Sequence, residues 1–321
     1  MHNKKILVIT PIAHLDNVKD ILLSIPETEV KYLPNCDEVE LKKNSDTYAI
    51  FTNPNKSTIF LGEKNLSSFD KLEFICTAST GTVHIDKGYC KKKGITVISL
   101  TEERNVINKI PSTAEHAFAL MLSSIRNINS ANKSVREGKW DYESFIGRQL
   151  KSLTIGVIGF GRLGTFFSNY CDAFGAKVIV YDPYKSVNHP RILQTDSLET
   201  LASLSDVVSL HVHVTDETNK MINKNFLKLC KESLLIVNTS RGEIVDELEL
   251  INFLKKNKNA KYSTDVLSSE IHGTQSNPLI EFIKTNEEQI LITPHIGGMT
   301  IEAQNMAFSH SANLLKKAFS K

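Results

Sequence analysis

Short apolar runs alternate with stretches of helical period along the whole chain, the pattern of an α/β protein built on parallel sheets. The first third predicts strands at residues 5–10, 30–33, 48–52, 74–78 and 95–99. The middle predicts a second set at 154–159, 177–181, 207–212, 234–238, 262–266 and 290–293. No sequence repeat relates the two sets, and no low-complexity linker separates them. Between them, Ser112 and Glu115 form a capping-box pattern just after Pro111. Ala114, Phe118, Met121, Leu122, Ile125 and Ile128 then predict one apolar face of a long helix. A second helix is expected over 300–320, carrying Ile301, Met306, Ala307, Leu314 and Leu315. The second sheet is complete before this helix begins, so the helix is expected to cross back to the first domain. The resulting expectation is two doubly wound parallel-sheet domains, one at 1–104 plus 296–321 and an inserted one at 105–295.

One strand of the second set runs straight into a glycine turn, Gly159-x-Gly161-x-x-Gly164, followed by a helical stretch and a second strand ending on Asp182. Each part suits a dinucleotide. Gly159 permits a tight turn, Gly161 lets the backbone approach a pyrophosphate, and Gly164 allows the helix to pack close to the sheet. The helix N-terminus then presents amides and its positive dipole end to the phosphates. Asp182 can accept hydrogen bonds from ribose hydroxyls. A glycine turn that merely packs helix on sheet is the plainer alternative, but strand, helix, second strand and terminal acid stand in register. A carboxylate there would repel a 2′-phosphate, and Pro183-Tyr184 supplies no cation, so NAD is favoured over NADP.

Composition narrows the class without naming a function. The chain has 321 residues, 41% of them hydrophobic, enough for two cored domains. Its net charge is +2, and Lys91-Lys92-Lys93 and Lys255-Lys256 read as solvated faces, so no nucleic-acid partner is expected. The five cysteines, Cys36, Cys76, Cys90, Cys171 and Cys230, form no CxxC pair and read as reduced thiols. The N-terminus opens directly on the strand-like Ile6-Leu7-Val8-Ile9 with no signal-like region, and no apolar run is long enough for a membrane span. A cytoplasmic protein without a membrane partner is expected.

Chemistry in open parallel sheets gathers at the carboxyl ends of strands. The fourth strand of the second set ends in Asn238-Thr239-Ser240-Arg241-Gly242, where Arg241 could pair bidentately with a carboxylate or be an ordinary surface arginine. The fifth ends at Thr264-Asp265-Val266, with Glu270 in the next loop. The sixth ends in Thr293-Pro294-His295-Ile296-Gly297-Gly298. A histidine between proline and two glycines at a strand end suits acid–base work better than core packing. A glutamate beside that imidazole would fix its tautomer and keep a proton available near neutral pH. His211 and His213 flank Val212 at the end of the third strand; lining a cofactor cleft is favoured for them over metal binding, since no third ligand has zinc spacing. His14, His84 and His116 show no obvious partner, and Ser240 does not sit in a GxSxG elbow. In the first domain, Cys76-Thr77-Ala78-Ser79-Thr80-Gly81 leaves a strand into a small-residue turn whose amides could hold an anion, or which is an ordinary loop.

Together these residues resemble the D-isomer-specific 2-hydroxyacid dehydrogenases. The resemblance is carried by Gly159–Gly164 with Asp182, by Val237-Asn238-Thr239-Ser240-Arg241-Gly242-Glu243-Ile244-Val245-Asp246, and by the segment from Thr293 to Gly298. Weaker support comes from Thr80-Gly81-x-x-x-Ile85-Asp86 and Thr113-Ala114-Glu115-His116. It implies a Rossmann NAD domain inserted into a flavodoxin-like substrate domain, with homodimers formed through the nucleotide domain. It implies His295 as acid/base, Glu270 as its partner, and Arg241 as anchor for substrate, with Ser79, Thr80 and Gly81 adding amides to the same carboxylate. Arg162, Leu163, Asp182, Thr239, Asp265 and the turn from His295 through Gly297 to Gly298 would contact NAD, beside the glycine turn and Val212. Two departures stand out: Ile271 follows the acid where proline is common, and His213 replaces a common proline. The chain has no length for an appended regulatory domain, so that mode of feedback is not expected.

The reading that follows is hydride transfer between NAD and a small D-2-hydroxy acid. Glycerate with hydroxypyruvate is preferred over 3-phosphoglycerate, since Asn53-Pro54-Asn55 offers no arginine and Lys56 reads as exposed. The alternative of another class is an NAD-sensing protein of co-repressor type. Formate dehydrogenase is disfavoured, because those enzymes place glutamine where Glu270 stands.

Overall fold

The computed structural model describes residues 4–54, 59–268, 270 and 276–320. Lys56 and Ile271 therefore lie outside the described residues. The chain forms two compact units, Met1–Ile110 with Gly298–Lys321, and Pro111–Gly297.

The first unit is a parallel five-stranded sheet: β1 (Lys4–Val8), β2 (Thr28–Tyr32), β3 (Ala49–Thr52), β4 (Phe74–Thr77) and β5 (Thr96–Ile98), in the order β2-β1-β3-β4-β5. Central strands read as unbroken apolar runs because helices cover both faces. Ile6, Val8, Phe51 and Cys76 point to one face, where Phe308, Ala312 and Leu315 of the helix Ile301–Phe319 complete the core. Leu7, Ile50 and Ile75 point to the other, against Leu41, Leu66 and Tyr89. The terminal helix starts where Thr300 accepts a hydrogen bond from the Ala303 amide, 3.2 Å away. It is held by its buried stripe; truncating the fully buried Leu315 to alanine would cost about 2–5 kcal/mol.

The second unit is a parallel seven-stranded sheet. Its strands are β6 (Thr154–Ile158), β7 (Lys177–Tyr181), β8 (Ile192–Gln194), β9 (Val207–Leu210), β10 (Leu235–Asn238), β11 (Lys261–Thr264) and β12 (Ile290–Ile292). Their order is β12-β11-β10-β9-β6-β7-β8. The edge strand β8 has no counterpart in the sequence reading: it is three residues long and only Ile192 is buried, so it leaves no alternation to detect.

The helix Ser112–Ile125 differs from expectation at both ends. Pro111 occupies the cap position, no side chain caps the helix, and the Ser112 hydroxyl is buried without a hydrogen-bond partner. The capping box is therefore not formed. The apolar face stops at Ile125 because Asn127 adopts a left-handed conformation (φ 55°), and Ile128 is 51% exposed on a new helix, Ile128–Arg136. Among the described residues no helix is long and apolar enough to cross a membrane, and no group of three or more metal-ligating side chains assembles.

Candidate active site

All strands of the second sheet run parallel, so the segments following them emerge along one edge. The strand order places His295, Asp265, Arg241, Val212, Gly159 and Asp182 after β12, β11, β10, β9, β6 and β7 in turn. Connections run one way from β6 to β7 and the other way from β9 onward, so the crevice at the sheet's switch point opens between Gly159 and Val212.

The glycine turn has the geometry expected of a phosphate cradle. Gly159 has φ 91°, and a Cβ there would stand 2.6 Å from the His211 carbonyl and 2.7 Å from Val212 Cγ1. A Cβ on Gly164 would come within 2.0 Å of the Gly159 carbonyl, so the helix Arg162–Ala173 approaches the strand only because that position is glycine. A Cβ on Gly161 would meet nothing within 4 Å. That clear space lies directly before the helix N-terminus, where Arg162 and Leu163 form the first turn. Asp182 accepts from the Phe160 amide through Oδ2 at 2.7 Å and from the Tyr184 amide through Oδ1 at 2.9 Å. Its carboxylate thus fastens the glycine turn to the end of β7 and keeps lone pairs for a further donor. Cradle, helix N-terminus and acid fit a dinucleotide.

His295 and Glu270 meet. Nδ1 of the imidazole lies 2.8 Å from Glu270 Oε1, and the side chains are 31% and 24% exposed. His295 itself has φ 54°, an unusual conformation for a residue with a Cβ, held by its amide donating to the Asp265 and Thr293 carbonyls. The turn's anchor is the buried Asp265 carboxylate. Oδ1 accepts from Thr293 Oγ1 (2.6 Å) and the Ile296 amide (2.8 Å), and Oδ2 accepts from the Gly297 amide (2.7 Å). His116 Nε2, on the helix Ser112–Ile125, lies 2.9 Å from Thr293 Oγ1 and 3.4 Å from Asp265 Oδ1. Burial pushes the Asp265 pKa up, but His116, Thr293 and the amides of Ile296 and Gly297 outweigh it and hold the carboxyl below its ordinary value.

Arg241 leaves β10 on a turn wrapped around a buried side chain. Asn238 donates Nδ2 to the Arg241 carbonyl (2.9 Å) and accepts the Ser240 amide on Oδ1 (3.0 Å). Thr239 is buried within that turn, and the Arg241 guanidinium donates to the Ser240 carbonyl at 2.6 Å. In the first unit, Ser79, Thr80 and Gly81 follow β4. The Ser79 hydroxyl donates to the Gly81 carbonyl (2.6 Å), and the carbonyls of Ser79 and Thr80 accept from the Leu100 amide and the Thr101 hydroxyl (both 3.0 Å). The turn is thereby tied to the segment beyond β5.

The remaining histidines follow the sequence reading only in part. His211 and His213 do not act as a pair. The His211 ring is tucked beneath the glycine turn, 5.0 Å from the Phe167 ring with Nε2 2.9 Å from Ser209 Oγ, and burial pushes its pKa down to about 3. His213 is exposed. His116, expected to lack a partner, belongs to the Asp265 network, and His14 Nε2 lies 2.5 Å from Gln304 Oε1. His84 is buried with neither nitrogen hydrogen-bonded, and burial pushes its pKa down to about 4. A histidine inside a weak TAEH-like match was the one sequence signal that could have found the His116 network.

Comparison with known proteins agrees with this geometry. A family model described as D-isomer specific 2-hydroxyacid dehydrogenase, NAD binding domain, matches residues 118–297. The chain is 33% identical over 317 residues to a D-3-phosphoglycerate dehydrogenase of Methanocaldococcus jannaschii, covering 98% of this chain and 57% of that one. It is 36% identical over 236 residues to a hydroxypyruvate reductase of Thermotoga maritima, 73% of each chain. A D-lactate dehydrogenase from Aquifex aeolicus, solved with NAD and lactic acid, superposes with a TM-score of 0.78 at 29% identity, covering 99% of this chain and 95% of that one. The chain spans about half the length of the phosphoglycerate dehydrogenases it matches. With more than half of its length matched by the family model, this chain belongs to the D-isomer-specific 2-hydroxyacid dehydrogenase family and carries that family's NAD-binding domain.

Proposed function

We propose that this chain catalyses reversible hydride transfer between NAD(H) and a small D-2-hydroxy acid with its 2-oxo counterpart. The observation that carries this reading is the 2.8 Å approach of His295 Nδ1 to Glu270 Oε1, on the sheet edge that also holds the glycine turn. Ionised Glu270 accepts the Nδ1 proton, which fixes the ring and its tautomer and assigns proton transfer to Nε2. The bound nicotinamide supplies the hydride in the reducing direction. His295 Nε2 donates its proton to the substrate carbonyl oxygen, and in oxidation the neutral ring takes the hydroxyl proton. Glu270 stabilises the imidazolium. Arg241 forks onto the substrate carboxylate. In the other unit, the backbone amides of Ser79, Thr80 and Gly81 are assigned to substrate binding. Pro111–Gly297 is the NAD-binding unit and the other is the substrate-binding unit.

Hydroxypyruvate, paired with glycerate, is the preferred substrate. A neutral residue, Asn53, follows β3 and donates Nδ2 to the Ala78 carbonyl (3.2 Å), and the Thermotoga maritima relative bears the matching name. The name of the Methanocaldococcus jannaschii relative favours 3-phosphoglycerate as the second reading. Comparing kcat/KM for hydroxypyruvate and its 3-phospho form with NADH separates the two: a higher value for the phosphorylated acid would reverse the preference. Trp140, Tyr142 and Ile146 of the NAD-binding unit are 89%, 79% and 80% exposed, which supports a homodimer, to be checked by sedimentation. Five unpaired thiols suit a reducing, cytoplasmic setting.

A further inference from the structure

Glu270 stands in a loop rather than on a strand or helix, so its place against His295 depends on what holds that loop. The segment running from Arg241 into the helix Glu247–Lys256 makes two contacts with it. A Cβ on Gly242 would lie 2.1 Å from both Leu267 C and the Ser268 nitrogen, so the peptide leading into the Glu270 loop is pressed directly on this glycine. The second contact is the Glu247 carboxylate. Glu247 is 6% exposed. Its Oε1 accepts from the Ser268 amide (2.9 Å), and its Oε2 accepts from Ser268 Oγ (2.7 Å) and Asn277 Nδ2 (2.9 Å).

These partners flank Glu270 on both sides. Ser268 precedes it, and Asn277 follows and starts the helix Pro278–Ile283 by accepting the Leu279 amide on Oδ1 (2.9 Å). Glu247 is not the cap of its own helix; Asp246 does that, accepting the Glu249 amide. A buried carboxylate is costly to desolvate unless donors meet it. Here three donors do, two of them from Ser268, two residues before Glu270. Only an acceptor-only group satisfies them together.

We infer that Glu247 is a positioning residue for the Glu270–His295 pair, acting through Ser268 to hold the chain that leads into Glu270 against the segment that carries Arg241. This rests on the acid–base reading of that pair. The titratable groups around the two ends are few: Tyr262 senses Glu247, and Asp265 and His116 lie at the His295 turn. None of them is altered by the substitutions below.

The test follows the His295 imidazole by NMR titration in isotopically labelled protein, which needs no turnover, together with kcat for hydroxypyruvate reduction. Glu247→Gln keeps shape but turns one oxygen into a donor facing donors. In Glu270→Gln the ring loses its anionic neighbour and titrates at lower pH than in the wild type. Glu247→Gln should shift it in the same direction. It should also lower kcat on the order of 10- to 10²-fold, with NADH affinity unchanged. Added to Glu270→Gln it should do little more, since both act through one contact. Ser268→Ala, which removes a single donor, should give a smaller shift of the same sign and serves if Glu247→Gln fails to fold. A Glu247→Gln protein whose His295 titrates as the wild type, with a rate loss that multiplies with that of Glu270→Gln, overturns the inference and leaves the acid–base reading standing. A His295 titration unmoved by Glu270→Gln overturns the reading of the pair, and the inference with it.

Discussion

The two halves of the proposed acid–base pair are held by different means. His295 sits in a continuous turn whose anchor, Asp265, lies at the end of the neighbouring strand and takes the amides of Ile296 and Gly297 directly. Glu270 sits in a loop gripped at its flanks by Glu247, from the start of a helix. One carboxylate takes backbone amides of His295's own turn; the other takes the Ser268 amide and hydroxyl and the Asn277 side-chain amide. The His295 ring is therefore anchored within its own turn, and the glutamate through neighbouring residues.

That contrast orders the expected effects. The largest is at the reacting group: His295→Ala should lower kcat by about 10²–10⁴ while NADH still binds, and near-normal turnover would remove His295 from the chemistry. Glu270→Gln should lose less, because it acts through the ring. Next comes the anchor of the turn. Asp265→Ala orphans two amides at about 1–3 kcal/mol each, so urea unfolding should show a clear loss of stability as well as of rate. Equal stability in Asp265→Ala and the wild type would mean that this carboxylate does not anchor the turn. Arg241→Lys keeps the charge but not the fork, and should raise KM for the 2-oxo acid by the equivalent of about 1.5–3 kcal/mol. An unchanged KM would place Arg241 outside the substrate site.

A separate effect, read as a slope with pH, is on acid stability. Burial pushes His84 and His211 down to about 4 and about 3, whereas unfolded histidine titrates near 6.5. As pH falls below about 6.5 the unfolded chain takes up protons that the folded one refuses, so each histidine removes about 1.4 kcal/mol of stability per pH unit. Asp265, held below the ordinary carboxylate value, gives stability that is complete above about pH 4 and lost only as pH falls through its folded pKa. Urea midpoints measured from pH 7 to pH 5 should therefore fall with the slope of the histidines. A flat profile would mean that these rings are not buried neutral.

Much of this was legible because it depends on local pattern. Parallel strands buried on both faces read as apolar runs, and the glycine turn is legible since Gly159 and Gly164 each answer a separate steric demand, the Gly164 approach to the Gly159 carbonyl most sharply. The meeting of His295 with Glu270 was legible from their places at the ends of neighbouring strands. What escaped was mostly non-local or lay at element ends. Glu247 reads as an exposed charge at a helix start until Ser268 and Asn277 are brought to it. His116 reads as solitary until the helix lays it on Thr293. Ser112 satisfies the capping pattern by spacing, yet Pro111 takes the cap position and buries the serine one residue inside the helix. His211 and His213 alternate correctly on paper, but the strand ends at Leu210, so alternation no longer places them.

The most direct test is to give purified protein NADH and a panel of 2-oxo acids (hydroxypyruvate, its 3-phospho form, glyoxylate, pyruvate and bulkier members) and to follow cofactor absorbance. The account predicts rapid, substrate-dependent NADH oxidation, fastest with hydroxypyruvate. Tight NADH binding with no oxidation by any member would contradict it and point to a nucleotide-sensing protein.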